Sequence, residues 1–171
     1  SSSHWLEIME SAHSIGLRST ATIMFGHVDD PAAWARHWRR VVDLQRRSGG
    51  FTECVPLPFV SEGSPIYRRG NARPGPTWRE AKLMHAVLRL AVGRDIPNIQ
   101  GSWVKLGRKG AVDILLSGAN DLGGTLIDES ITRAAGAAHG QSWSPIDMVA
   151  SVESIGRPAR QRMTDYSWPD E

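Results

Sequence analysis

The stretch STATIMFGHVDDPAAWARHWRRVVDLQRRSGGFTECVPLP, residues 19–58, decides the fold class. Its first seven residues, Ser19–Phe25, are rich in Thr, Ile and Phe and predict a strand. Asp30 offers an N-cap oxygen ahead of a Pro, and the apolar residues that follow recur at helical spacing up to a Ser-Gly-Gly stop. A second apolar run, residues 51–57, predicts another strand. The order strand, helix, strand predicts a right-handed crossover between two parallel strands.

The same alternation continues toward both ends of the chain. Upstream, apolar residues from Trp5 to Ile15 follow the i, i+3, i+4 spacing of a helix that ends near Gly16. A connection rich in Gly, Pro and Arg, residues 61–76, predicts a long loop. The remaining predicted elements are a helix from the capping box at Thr77 to Gly93, a strand at 98–104, a helix at 110–117, a strand at 119–122, a helix at 128–135, and a last helix that opens at Ser144 and fades near Gly156, within a C-terminal helix and tail at 144–171.

Four strands, each followed by a helix, predict an α/β protein with a parallel sheet. Two architectures fit this order, a small doubly wound sheet and a piece of a (β/α) TIM-type barrel. A complete barrel takes eight such units and about 250 residues. The 171 residues of the chain would therefore supply about the last four βα units of a barrel, with the C-terminal helix added.

Composition narrows the classes of function. The chain is 40% hydrophobic and 22% charged, which is typical of a folded core. Its formal net charge of +2 is too slight to argue for a nucleic-acid partner. No apolar run approaches the roughly 20 residues that span a bilayer, and we expect a cytoplasmic protein with no membrane partner. Cys54 is the single cysteine, so this chain alone supplies neither an internal disulfide nor a multi-cysteine metal site.

Candidate site residues are sought where strands end, because the loops at those ends line the site in α/β folds. Gly123-Gly124 would let backbone N–H groups approach a carboxylate or phosphate, although an ordinary tight turn has the same spacing. Glu53 within a strand predicts either a substrate contact or half of an ion pair. His27 is read as a substrate or proton-transfer residue, or else as a surface or capping histidine. The full predicted set is Thr22, His27, Glu53, Gln100, Ser102, Asn120, Asp121, Gly123 and Gly124, with no metal ligand.

Six blocks of sequence indicate a specific protein family, which the patterns above do not. They are RSTATIMFGH from Arg18, GGFTECVPLP from Gly49, NIQGSWVKLG from Asn98, GANDLGGTL from Gly118, ESITRAAGAAHG from Glu129 and GRPARQR from Gly156. In this order they resemble the deazaflavin (FO) synthase family of radical S-adenosylmethionine enzymes. The aminofutalosine-type enzymes of menaquinone synthesis share a weaker form of several blocks, and the third and fourth blocks favour the FO synthase side.

The resemblance implies a specific chemistry. Enzymes of this type use a 4Fe-4S cluster to cleave S-adenosylmethionine, and the resulting radical activates tyrosine. The hydroxybenzyl fragment is then joined to 5-amino-6-(D-ribitylamino)uracil. By this similarity, residues 1–171 form the C-terminal part of the barrel domain in the tyrosine hydroxyphenyl-transferring half. The implied partners are these two small molecules, together with a missing N-terminal barrel half or a second copy of the chain.

Departures from the family pattern bear on activity. The cluster motif of the family, C-x-x-x-C-x-x-C, is absent, so we expect this chain alone to bind neither the cluster nor S-adenosylmethionine stably. Cys54 stands where the family usually has Phe, and Ser61 stands where it has His. Two hypotheses stay open at this point, a segment that shapes the pocket of a radical enzyme and a catalytically silent half barrel that associates with itself.

Overall fold

The computed structural model describes residues 1–126, 134, 136 and 142–169 of the chain. Six helices and three strands are found in these residues. The helices are α1 (Ser2–Ser14), α2 (Pro31–Ser48), α3 (Pro65–Arg68), α4 (Trp78–Val92), α5 (Trp103–Leu115) and α6 (Pro145–Glu153), and the strands are β1 (Ser19–Phe25), β2 (Phe51–Pro58) and β3 (Asn98–Ile99). None of the helices in the described part is long and apolar enough to cross a membrane.

The three strands form one parallel sheet in the order β1-β2-β3. Ala21, Cys54 and Ile99 lie side by side across it, so β2 is the central strand and β1 an edge strand. The α/β class predicted from the sequence is confirmed. The described residues include three strands instead of the four expected.

The hydrophobic core lies between one face of this sheet and helices α2, α4 and α5. Ala21, Cys54 and Ile99 point to it from the strands. The helices contribute the large buried side chains Trp38, Val41, Leu44, Met84, Leu88 and Ile114. Since side chains alternate along a strand, the neighbours of the core-facing residues point to the opposite face of the sheet.

Helix boundaries follow the capping signals in the sequence. Asp30 accepts a hydrogen bond from the Ala33 N–H (2.6 Å) at the start of α2, and Gly49 ends this helix with a left-handed φ of +63°. Thr77 and Glu80 form the predicted capping box of α4. The predicted stripe of α1 is only partly right, because Ile15 is 76% exposed.

The predicted strand at residues 98–104 is wrong beyond its first two residues. The Ser102 carbonyl accepts hydrogen bonds from the N–H groups of Lys105 and Leu106, so the chain turns into helix α5 instead of extending. This helix begins at Trp103, ahead of the predicted start at residue 110, and it is kinked at Gly107. Trp103 and Val104 suit a strand by propensity, and the local turn overrides that propensity.

The predicted strand at residues 119–122 is reduced to one bridge between Gln100 and Asp121. The physical reason is that the side chain of Asn120, and not the backbone of a neighbouring strand, accepts the hydrogen bond from Ile99. The Oδ1 atom of Asn120 accepts from the Ile99 N–H (2.8 Å), while the Ile99 carbonyl accepts from the N–H groups of Asn120 and Asp121. Once these groups are satisfied, no further ladder forms.

Two other predicted segments have different outcomes. The predicted loop at 61–76 contains the one-turn helix α3. The predicted helix at 128–135 lies, apart from Ala134, outside the described residues.

Candidate functional site

A buried polar cluster lies on the face of the sheet opposite the core. It is built around Glu53, whose neighbour Cys54 points into the core. Glu53 is only 2% exposed. Its Oε2 atom accepts hydrogen bonds from the Tyr166 hydroxyl (3.0 Å) and from the Gln100 side-chain amide (3.3 Å). Its Oε1 atom has no hydrogen-bond partner among the described residues, and the guanidinium of Arg162 is 3.9 Å away.

The chain beyond α6 closes this cluster. Arg162 donates from Nε to the carboxylate of Asp121, the residue that bridges to Gln100. Its guanidinium also lies over the ring of Tyr166, 4.0 Å from the ring centroid. We call Glu53, Gln100, Asp121, Arg162 and Tyr166 the Glu53 cluster. It joins the strand region to the C-terminal tail.

The electrostatics of the cluster move the ionisation of Glu53 to near neutral pH. Burial and the nearby charge of Asp121 raise the pKa of Glu53 to about 7, although Tyr166 and Arg162 act in the opposite direction. Burial and the charge of Glu53 raise the pKa of Tyr166 to about 12. Glu53 can therefore gain or lose a proton near neutral pH, whereas Tyr166 keeps its proton there.

The loop at Gly123 packs closely against the Gln100 side chain. Gly123 has a φ of +70°, and its N–H donates to the Asp121 side chain (2.5 Å). A Cβ atom at this position would lie 2.6 Å from the Gln100 amide nitrogen. Gly124 differs, because a Cβ there would meet open space, and its carbonyl accepts from the Trp103 indole (3.2 Å). The structure thus gives a steric reason for glycine at the first of the two positions.

His27 belongs to a separate group at the end of β1. Its Nδ1 atom lies 2.7 Å from the Asp29 carboxylate, which also accepts from the backbone N–H groups of Gly26 and His27 and from the Trp34 indole. Burial opposes ionisation of Asp29, but these hydrogen bonds prevail and lower its pKa to about 2. His27 is thus oriented by a fixed carboxylate.

The other three predicted site residues have different surroundings. Thr22 lines a groove of about 380 Å³ between β1 and helices α1 and α2, together with His37 and Arg40. Ser102 is buried at the start of α5 and its side chain does not cap the helix. Asn120 accepts from Arg89 and from the Ile99 backbone, which is a structural role. The structure therefore brings together Glu53, Gln100, Asp121 and Gly123 of the predicted set.

Sequence reasoning missed three residues of these two groups. Arg162 lies in the GRPARQR block, which was a signal that could have identified it. Tyr166 and Asp29 carry no pattern that separates them from ordinary loop residues. Tyr166 is recognised only through its contact with a carboxylate that is 113 positions away in the chain.

An iron–sulfur cluster does not fit the residues of this chain. Cys54 is fully buried, and burial raises the pKa of its thiol to about 12, so the thiolate that binds iron is disfavoured. Within the described residues, no group of three or more His, Cys, Asp or Glu side chains could hold a metal ion. A 4Fe-4S cluster of the usual kind needs Cys thiolates, and Cys54 is the single cysteine of this chain.

Comparisons with known proteins agree with the six sequence blocks. The chain is 52% identical over 163 residues to the FO synthase of Mycobacterium tuberculosis and 51% identical over 162 residues to that of Streptomyces coelicolor. Each alignment covers 95% of this chain and 19% of the relative. The chain is also 49% identical over 162 residues to the 5-amino-6-(D-ribitylamino)uracil--L-tyrosine 4-hydroxyphenyl transferase of Methanopyrus kandleri, covering 95% of this chain and 44% of that protein.

The chain thus spans about a fifth of the FO synthases and less than half of the transferase. The resemblance to FO synthases, on the side of the tyrosine hydroxyphenyl transferase, is confirmed. A family model described as the CofH/MqnC C-terminal region matches residues 48–171. Because that match covers most of its length, the chain belongs to the CofH/MqnC C-terminal region family.

Proposed function

We propose that this chain forms the substrate-facing C-terminal part of a radical S-adenosylmethionine transferase of the FO synthase type. The reaction would join the hydroxybenzyl group of tyrosine to 5-amino-6-(D-ribitylamino)uracil in deazaflavin coenzyme biosynthesis. Identity near 50% to FO synthases and to a transferase named for these two substrates supports the proposal. The same names favour it over an aminofutalosine-type activity.

The observation that carries the proposal is the Glu53 cluster. A buried carboxylate is costly unless all of its oxygens are paired, yet one oxygen of Glu53 has no hydrogen-bond partner in the described part of the chain. Glu53 also lies on the sheet face opposite the hydrophobic core, because its neighbour Cys54 points into that core. An oxygen of this kind suits a hydroxyl or amine of a bound substrate. Under the alternative hypothesis, a catalytically silent half barrel, nothing would explain a buried carboxylate with one oxygen that lacks a hydrogen bond within the described residues.

The proposed architecture is a partial (β/α) barrel. A parallel sheet with helices on one face and polar side chains on the other has the layering of a barrel wall, with Glu53 directed to the interior. The radical-generating cluster and S-adenosylmethionine would be held by the N-terminal segment, because Cys54 is unsuited to bind iron. The residues described here would bind and orient the substrates and exchange a proton at Glu53.

A chimera tests this proposal. The aligned segment of the Methanopyrus kandleri transferase is replaced by this chain, and the product is assayed by mass spectrometry with tyrosine, 5-amino-6-(D-ribitylamino)uracil and S-adenosylmethionine. We expect the transfer product from the chimera and none from a control whose cluster cysteines are changed to Ser. A chimera that cleaves S-adenosylmethionine but never forms the product would contradict the proposal.

A further inference from the structure

Tyr166 is held in an unusual way for a residue in a C-terminal tail. Its backbone has a φ of +70°, and it is the one non-glycine residue of the described chain with a positive φ. A tight turn surrounds it, in which the Met163 N–H donates to Ser167 and the Tyr166 N–H donates to Met163. A bulky residue in this left-handed region is strained, and such strain persists only where other contacts hold the residue in place.

The side-chain contacts of Tyr166 are all made by its phenol group. The hydroxyl donates to Glu53 Oε2 (3.0 Å) and also interacts with the Thr52 side chain. The ring faces the guanidinium of Arg162, which is itself fixed by the carboxylate of Asp121. None of these contacts uses the Tyr166 backbone, so a separate phenol could make every one of them.

A second, independent feature points to a ligand at this position. Glu53 is 98% buried by its 2% exposure, and its Oε1 atom lacks a hydrogen-bond partner in the described chain. A carboxylate placed only to fix the tail would pair both of its oxygens. The Oε1 atom, with the Arg162 guanidinium 3.9 Å away, leaves room for one hydrogen-bond donor at the same site.

We propose that the side chain of Tyr166 occupies a binding site for a 4-substituted phenol, formed by Glu53, Thr52 and Arg162, and that movement of Tyr166 opens this site. The ion pair of Arg162 with Asp121 does not involve Tyr166 and would hold the guanidinium when Tyr166 moves. The inference rests on the proposed function, in which the exchanging ligand is the hydroxyphenyl group of tyrosine.

Binding of 4-methylphenol to the 171-residue chain tests the proposal without any catalysis. In Tyr166→Gly the phenol is removed, and the positive φ becomes a conformation that glycine adopts easily. We expect this variant to bind 4-methylphenol at least tenfold more tightly than the wild-type chain in ligand-observed NMR titrations. Toluene, which lacks the hydroxyl, should gain no comparable affinity.

Two further variants make the result specific. Tyr166→Phe keeps a ring in the site and should show no gain in 4-methylphenol affinity. Adding Glu53→Ala to Tyr166→Gly should remove the gain, and circular dichroism would verify that each variant is folded. Tyr166→Ala serves as a replacement if Tyr166→Gly does not fold. Equal binding of 4-methylphenol to the wild-type chain and to the folded variant, or equal gains for toluene, would overturn the proposal.

The outcome is distinguishable from failure of the proposed function. If the chimera is active and Tyr166→Gly gains no affinity for 4-methylphenol, the phenol site is wrong and the function stands. If the variant gains affinity and the chimera forms no product, the site exists and the transferase assignment is wrong.

Discussion

Replacing Glu53 with Gln should change how the stability of the chain depends on pH. Glu53 is 2% exposed, and burial together with the charge of Asp121 raises its pKa from 4.5 to about 7. Gln has nearly the same shape and cannot ionise. It also keeps an oxygen that can accept from the Tyr166 hydroxyl.

The sign and size of the effect follow from the pKa difference. Between pH 4.5 and pH 7 the folded chain keeps a proton on Glu53 that the unfolded chain has lost, so the free energy of unfolding falls as the pH rises. Each pKa unit corresponds to about 1.4 kcal/mol, which gives a loss of about 3 kcal/mol across this interval. Below pH 4.5 the protonated Glu53 makes its full contribution to the free energy of unfolding. Above pH 7 this contribution is lost, and the free energy of unfolding no longer changes with pH on account of Glu53. Glu53→Gln should not show this loss.

The assay is urea unfolding followed by circular dichroism at several pH values, for the wild type and for Glu53→Gln. Asp121, Arg162 and Tyr166 are the charged or titratable groups that face Glu53, and they are present in both proteins. The difference in unfolding free energy between the wild type and Glu53→Gln therefore reports mainly on the ionisation of Glu53. Asp43→Asn, an exposed change on α2, serves as the matched control. A difference between Glu53→Gln and wild type that stays constant from about pH 4 to pH 8 would refute the reasoning.

Three other predictions follow from the structure. Gly123→Ala should lower the free energy of unfolding by about 1–2 kcal/mol, because alanine is strained at a positive φ and its Cβ would crowd Gln100. Gly124→Ala is the matched control, because a Cβ there meets open space. In the same urea titration it should change the free energy of unfolding by less than about 0.5 kcal/mol. Asp30→Ala removes the N-cap of α2 and should cost about 1 kcal/mol, and an unchanged melting temperature would contradict this. Anaerobic reconstitution with iron and sulfide should give no stable 4Fe-4S absorption, because Cys54 is a single buried thiol; a stoichiometric cluster that cleaves S-adenosylmethionine would show that the expectation is wrong.

Local signals in the sequence predicted much of the fold. The Asp30 cap, the Thr77 capping box and the glycine after α2 each act over three or four residues, and the helices begin and end where these signals place them. Strand pairing is not local. The reduction of the predicted strand at 119–122 depends on the Asn120 side chain reaching Ile99, a contact across 21 positions that periodicity does not encode.

The candidate site was predictable in part for the same reason. Glu53 was identified because a carboxylate inside an apolar strand is unusual in any sequence. Asp121 was identified from its place at the end of a predicted strand, whereas Gln100 lay inside the strand predicted at 98–104, and the structure brings both of them to the Glu53 cluster. Tyr166 was missed because its role depends on how the tail returns to the sheet, and no local pattern determines that return. Self-association of the chain stays a prediction.

The central claim is that the Glu53 cluster contacts the tyrosine substrate. The most direct measurement is kcat/KM for tyrosine in the chimera with the Methanopyrus kandleri transferase, comparing Glu53→Gln with the exposed control Asp43→Asn. At pH 8 Glu53 is above its pKa of about 7 and is mostly ionised. Loss of a hydrogen bond to a charged group costs about 1.5–3 kcal/mol, so at this pH Glu53→Gln should lower kcat/KM by about tenfold or more while the control stays unchanged. Equal kcat/KM values for Glu53→Gln and the unmodified chimera would contradict the account.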